Sequence, residues 1–164
     1  MSRLLLALAL LIGGASAVAA AASDAAPARA APPRPSLALI ERGVTDKSFD
    51  DVILELDFAI TERNFRITGR NTIGKGLRER GYADFPDVEV IHFCNLEYAR
   101  EMLLLDPDYV AQMPCRITVH REREQTVVNV VLLPEDHPDP RVNAFARRMN
   151  GLLREILAFV LEKD

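Results

Sequence analysis

The chain has 164 residues, 49% of them apolar and 27% charged, with 20 Lys and Arg against 24 Asp and Glu for a formal charge of −4. That length and balance suit one globular domain, and the composition excludes a disordered chain. An acidic protein with no basic run is no phosphate-backbone binder, and two cysteines are too few for a disulfide-dense scaffold.

The N-terminus reads as an export signal. Met1-Ser2-Arg3 is a short positive start, residues 4–12 are an apolar run, and Ala15-Ser16-Ala17 and Ala17-Val18-Ala19 are A-x-A cleavage sites. No Cys lies near them for lipid attachment. Residues 1–22 are therefore expected to be a signal peptide, with the mature chain in the periplasm or outside the cell. The alternative is an uncleaved anchor, which Gly13 and Gly14 make a weak span. Residues 23–35 hold Pro27, Pro32, Pro33 and Pro35 among alanines and read as a linker. Residues 36–164 remain for a single domain, with no later stretch apolar and long enough to cross a bilayer.

Within that domain, residues 37–40 suit a first strand. Ser48, with Asp51 three residues on, caps a helix whose stripe is Phe49, Val52, Ile53, Leu56 and Ile60. Leu54 and Phe58 fall on its opposite face, covered either by a second copy in a homodimer or by another element of the chain. Residues 64–68 are strand-like, and Gly69 is expected to start a turn into a short helix ending near Gly81. Residues 88–94 are apolar on both faces, as in a central strand. Asn95 caps a helix over 96–105, which Asp106-Pro107 stops. Residues 116–120 and 126–133 alternate as strands around a charged tip, Arg121-Glu122-Arg123-Glu124. Asp139-Pro140 starts a last helix to about Leu161, with Val142, Phe145, Met149, Leu152, Leu153, Ile156 and Val160 on one stripe. The expected fold is α+β: one compact domain with a mixed or mainly antiparallel sheet of four to five strands, helices packed on it, and a long C-terminal helix.

Three constellations bear on chemistry. Gly69 to Lys75 fits G-x-x-x-x-G-K, but Gly76 stands where a phosphate loop needs Ser or Thr for magnesium, so an NTPase is not expected. Its glycines suit a tight turn and close helix packing; a general anion site using Arg66, Arg70 and Lys75 is the other reading. Second, His92 and Cys94 share a strand face, and Cys115 begins another strand in parity with core positions. If the strands pair, the three would converge as a disulfide, as buried thiols, or as a metal or haem site. The compartment favours the disulfide, and no C-x-x-C supports redox work. Third, a hydrolytic triad finds little material: His92, His120 and His137 are the only histidines, Ser48 is a helix cap, and G-x-S-x-G is absent.

The order of motifs from Ser48 onward resembles a bacterial and archaeal family named only as domain of unknown function 302. The resemblance rests on Ala59-Ile60-Thr61-Glu62-Arg63-Asn64-Phe65, on Ile73-Gly74-Lys75, and on Leu77-Arg78-Glu79-Arg80-Gly81 with Phe85-Pro86. It continues through Ile91-His92-Phe93-Cys94-Asn95-Leu96-Glu97-Tyr98-Ala99, Asp106-Pro107, Met113-Pro114-Cys115-Arg116 and Leu132-Leu133-Pro134. Cys-Asn and Pro-Cys, about 20 residues apart, are its most specific part. The resemblance implies a compact α+β domain, commonly a homodimer, with no established reaction and no catalytic residue to carry over. Leu96 and Glu97 stand where the common form has proline, which marks a subgroup. The leading functional expectation is an exported binding or accessory module taking a small molecule or anion in a cleft of the sheet or dimer. The alternatives are a metal- or haem-handling protein using His92, Cys94 and Cys115, and an enzyme of unrecognised type. The sequence requires no cofactor and leaves the substrate unspecified.

Overall fold

A computed structural model describes residues 39–162. The expected signal peptide and linker lie outside the described residues, as do the first two positions of the 37–40 strand. The elements are β1 (Ile40–Thr45), α1 (Phe49–Glu62), β2 (Arg66–Asn71), α2 (Ile73–Arg78), β3 (Val88–Cys94), α3 (Leu96–Leu105), a 3-10 helix (Pro107–Gln112), β4 (Cys115–Glu122), β5 (Gln125–Val131) and α4 (Pro140–Leu161). The five strands form one antiparallel sheet in the order β1-β5-β4-β3-β2. This is the α+β architecture anticipated, with β3 and β4 inside the sheet.

Local chemistry sets the helix ends. The Ser48 hydroxyl accepts from the Asp51 N–H at 3.1 Å, and Asp139 accepts from the Arg141 N–H at 2.8 Å. Arg141 also holds the Asp139 carboxyl down at about 2, through its side-chain bond and then its backbone bond, so this cap stays ionised. Alternation then divides the sheet into two faces. Ile91, Phe93, Ile117, Val119, Val128 and Val130 are fully buried on one, beneath Val52, Leu56 and Ile60 of α1 and Val142, Leu153, Ile156 and Val160 of α4. Burying one such aliphatic side chain contributes about 1.5–3 kcal/mol, so these two layers hold the domain together. The opposite face carries Val88, Val90, His92 and Cys94 of β3 with their cross-strand partners, most of them half-buried or exposed.

Three boundaries depart from expectation. β1 runs from Ile40 to Thr45, further along than 37–40, because an edge strand needs no continuous apolar run; Gly43 lets Leu161 of α4 pack directly onto its backbone. Gly69 starts no turn. It lies inside β2, where the register against β3 slips between Ile67 and Gly69 in a β-bulge. The hairpin tip is only Arg123-Glu124, with Arg123 at φ 57°; Arg121 and Glu122 belong to β4. The 3-10 helix was not foreseen, since Pro107 ends an α-helical pattern without ruling out a tighter turn.

Candidate functional site

Where β3 ends and β4 begins, the core opens into a small cavity. Phe65, Tyr98, Met102, Tyr109, Met113, Phe145 and Met149 line it, with Cys94 and Cys115 in the wall. Asn95 positions its upper side: the side-chain oxygen accepts from the Glu97 and Tyr98 N–H groups at 2.9 and 3.1 Å, and the amide donates to the Asn64 carbonyl at 2.8 Å. That ties the start of α3 to the turn before β2 and sets Tyr98 and Met102 over the strand ends. Asp106 caps the 3-10 helix through the Asp108 N–H, and Tyr109 from that helix donates to the Pro134 carbonyl at 3.1 Å. Phe65 meets Phe93 edge-on at 5.4 Å and Tyr98 at 5.8 Å, while the Arg148 guanidinium lies 5.0 Å over the Phe145 ring. The cavity measures about 30 Å³. Pockets for drug-sized ligands run to about 300–1,000 Å³, so this one takes a small group unless its walls move.

The two thiols and the Tyr109 phenol in its wall are neutral at ordinary pH. Burial pushes the Cys115 thiol up to about 11, with Cys94 adding to the rise, and burial raises Cys94 as well. Burial and then Asp106, Asp136 and Glu135 push the Tyr109 phenol up. A protonated thiol in apolar surroundings is a poor nucleophile and a poor metal ligand.

The structure keeps two of the three grouped residues together, Cys94 and Cys115 in the cavity wall, and sends His92 to the other sheet face. The register pairs Phe93 with Cys115, so Cys115 shares the core face; His92 and Cys94 alternate onto the other, and Cys94 reaches the cavity wall where β3 ends. Both cysteines carry free thiols, so the expected disulfide is not formed. Nor do His92, Cys94 and Cys115 assemble as a metal or haem site: among the described residues no three His, Cys, Asp or Glu side chains are grouped to hold a metal ion. The anion set of Arg66, Arg70 and Lys75 disperses too. Arg70 lies on the core face between Asp57 and Glu89; burial works against its charge, but the bonds to Glu89 and Asp57 outweigh it and raise its pKa. Lys75 projects from α2 with Glu79 at 3.9 Å, and Arg66 lies on the opposite sheet face. The phosphate-loop geometry is absent because α2 begins only at Ile73, and Gly74 is buried against the backbone of Pro86 and Val88.

Asn150 was missed. It is 1% exposed on α4, where its amide bonds both the N–H and the carbonyl of Leu133 and so fixes the chain beyond β5 beside the cavity. The available signal was a polar residue set among Met149, Leu153 and Ile156 on an otherwise apolar stripe. His137 joins the same loop to the 3-10 helix, with Nε2 3.4 Å from Asp106.

A family model described as "Domain of unknown function DUF302" matches residues 40–158. Among solved structures, the chain is similar to one titled "Crystal structure of uncharacterized conserved protein DUF302 from Bacillus stearothermophilus". The identity is 16% and the TM-score 0.67, over 76% of this chain and 98% of that one. No curated protein matches.

Proposed function

We propose, from the premise that the chain belongs to the DUF302 family, that it is an exported binding or accessory module whose cavity between α3, the 3-10 helix and the ends of β3 and β4 takes a small apolar group. The observation that carries this reading is the lining. Three of the chain's four methionines, Met102, Met113 and Met149, converge there with four aromatic rings, a pliable apolar wall that can enlarge around a guest. The two thiols stay protonated and serve as wall, not as nucleophiles. A second feature supports pairing of two copies: Leu54 and Phe58 of α1 are 67% and 56% exposed, and Phe58 continues onto the Phe159 ring of α4 at 5.6 Å. The test is methionine-methyl NMR under xenon and with short-chain alcohols. Saturable shifts at Met102, Met113 and Met149 support the reading, and their silence under both probes would end it. Export is tested by N-terminal sequencing from the native host, which should return a start between Val18 and Ser23.

A further inference from the structure

The sheet face turned away from α1 and α4 holds residues that the cavity does not use. Directly opposed residues of antiparallel strands project to the same side. Arg116 of β4 and Gly69 of β2 both lie opposite His92, and Arg66 lies opposite Cys94 one step along. His92 therefore has Arg116 directly beside it on β4 and Arg66 diagonally across on β2, level with Cys94. By strand spacing these stand about 10 Å apart across the sheet and about 7 Å along it, roughly 12 Å in all, within reach of two guanidinium side chains leaning inward. Both are exposed, and neither is ion-paired among the described residues. Among the described residues, Glu122 is the only carboxylate that the register assigns to this face; it is bonded to Arg42 and sits six residues along β4 from Arg116.

His92 adds a second, independent observation. Its Nδ1 is buried and meets no hydrogen-bond partner, while Nε2 lies 3.4 Å from the Asn71 side-chain nitrogen. With the Asn71 amide donating, Nε2 accepts and the ring proton sits on Nδ1, a tautomer assigned from that contact. The patch thus holds two guanidiniums without an ion pair among the described residues and one buried ring nitrogen, Nδ1, without a hydrogen-bond partner. On the β2 side, a Cβ built on Gly69 would meet nothing within 4 Å, so the space beside His92 is open.

We propose that this face binds a small oxyanion, a carboxylate or phosphate group, between Arg66 and Arg116, with His92 Nδ1–H as the third donor once the side chains around it reorganise. A charged guanidinium is matched in geometry to such oxygens and forms short, charge-assisted bonds with them. This site differs from the one the sequence suggested: Arg66 stays, and Arg116 and His92 replace Arg70 and Lys75.

The test is titration of the full folded domain with inorganic phosphate and with succinate, at constant ionic strength set by chloride. It is read by calorimetry and by the His92 ring resonances, with anionic phospholipid vesicles as a parallel arm. The expected result is saturable binding of at least one free anion with a shift at His92. Arg66→Ala and Arg116→Ala should each weaken it at least tenfold, and Lys75→Ala should leave it unchanged. All three positions are exposed, and thermal melts of each variant serve as the check that it folds. The proposal is overturned if neither free anion saturates, if chloride alone produces the shift, if the double arginine variant binds as well as the wild type, or if only vesicles bind.

Discussion

Replacing Asn150 by alanine removes three hydrogen bonds from a site that water does not reach. Its side chain accepts from the Leu133 N–H at 2.8 Å and donates to the Leu133 carbonyl at 3.0 Å and to Glu135 Oε1 at 2.7 Å. Glu135 can turn to solvent, but the Leu133 groups are fixed by the strand that precedes them. Leaving a buried donor or acceptor unmet costs about 1–3 kcal/mol, the N–H more than the carbonyl. With the small void added, the expected loss is about 3 kcal/mol, a large share of the 5–15 kcal/mol typical of a domain. Urea unfolding should show the midpoint falling by about 1.5 M for an m-value near 2 kcal/mol per M. Asn150→Leu keeps the volume and isolates the hydrogen-bond part, so it should recover less than half of the loss. Hydrogen exchange at the Leu133 amide should accelerate in both variants. A loss below about 1 kcal/mol for alanine, with Leu133 protection unchanged, would refute the claim that Asn150 clamps this loop.

The two glycines of the Gly74-Lys75-Gly76 run should respond with opposite signs. A Cβ on Gly74 would sit against the Pro86 carbonyl oxygen and 2.8 Å from the Val88 nitrogen, so Gly74→Ala should lower stability by 2 kcal/mol or more on the order of a backbone clash. Gly76 has open space, and Gly76→Ala should raise stability by about 0.5–1 kcal/mol in the same denaturation assay. Cys115 should resist alkylation at pH 8, and its rate, followed by mass spectrometry, should climb as pH approaches about 11. The folded-state pKa is raised, so its contribution to stability is complete below about 9 and is lost as pH rises towards 11; Cys115→Ala should flatten that slope. Light scattering at micromolar concentration should give a dimer, and Phe58→Glu should shift it towards monomer; a wild-type monomer would remove the assembly proposal.

Local signals in the sequence determined the helices and most strands. Ser48, Asn95 and Asp139 each cap the helix that follows them, and the apolar periods of α1 and α4 place Val52, Leu56, Leu153 and Ile156 in the core. Those signals are short-range: a cap bonds an N–H two or three residues away, and a stripe repeats within two turns. The family resemblance likewise pointed to the architecture through short motifs, and left function open.

Which side chains meet across strands was decided only by tertiary structure, because that depends on register, and a shift of one residue sends a side chain to the other face. Strand parity alone suggested that His92, Cys94 and Cys115 would converge; the pairing of Phe93 with Cys115 puts a sheet between His92 and Cys115. The bulge at Thr68 likewise turned Arg70 inward to Asp57 and Glu89 and left Arg66 outside, breaking the basic cluster that its spacing implied. The cavity arises in the same way. Its walls come from the turn before β2, β3, α3, the 3-10 helix, β4 and α4, segments spread over more than 80 residues, and no local pattern encodes the point where they meet.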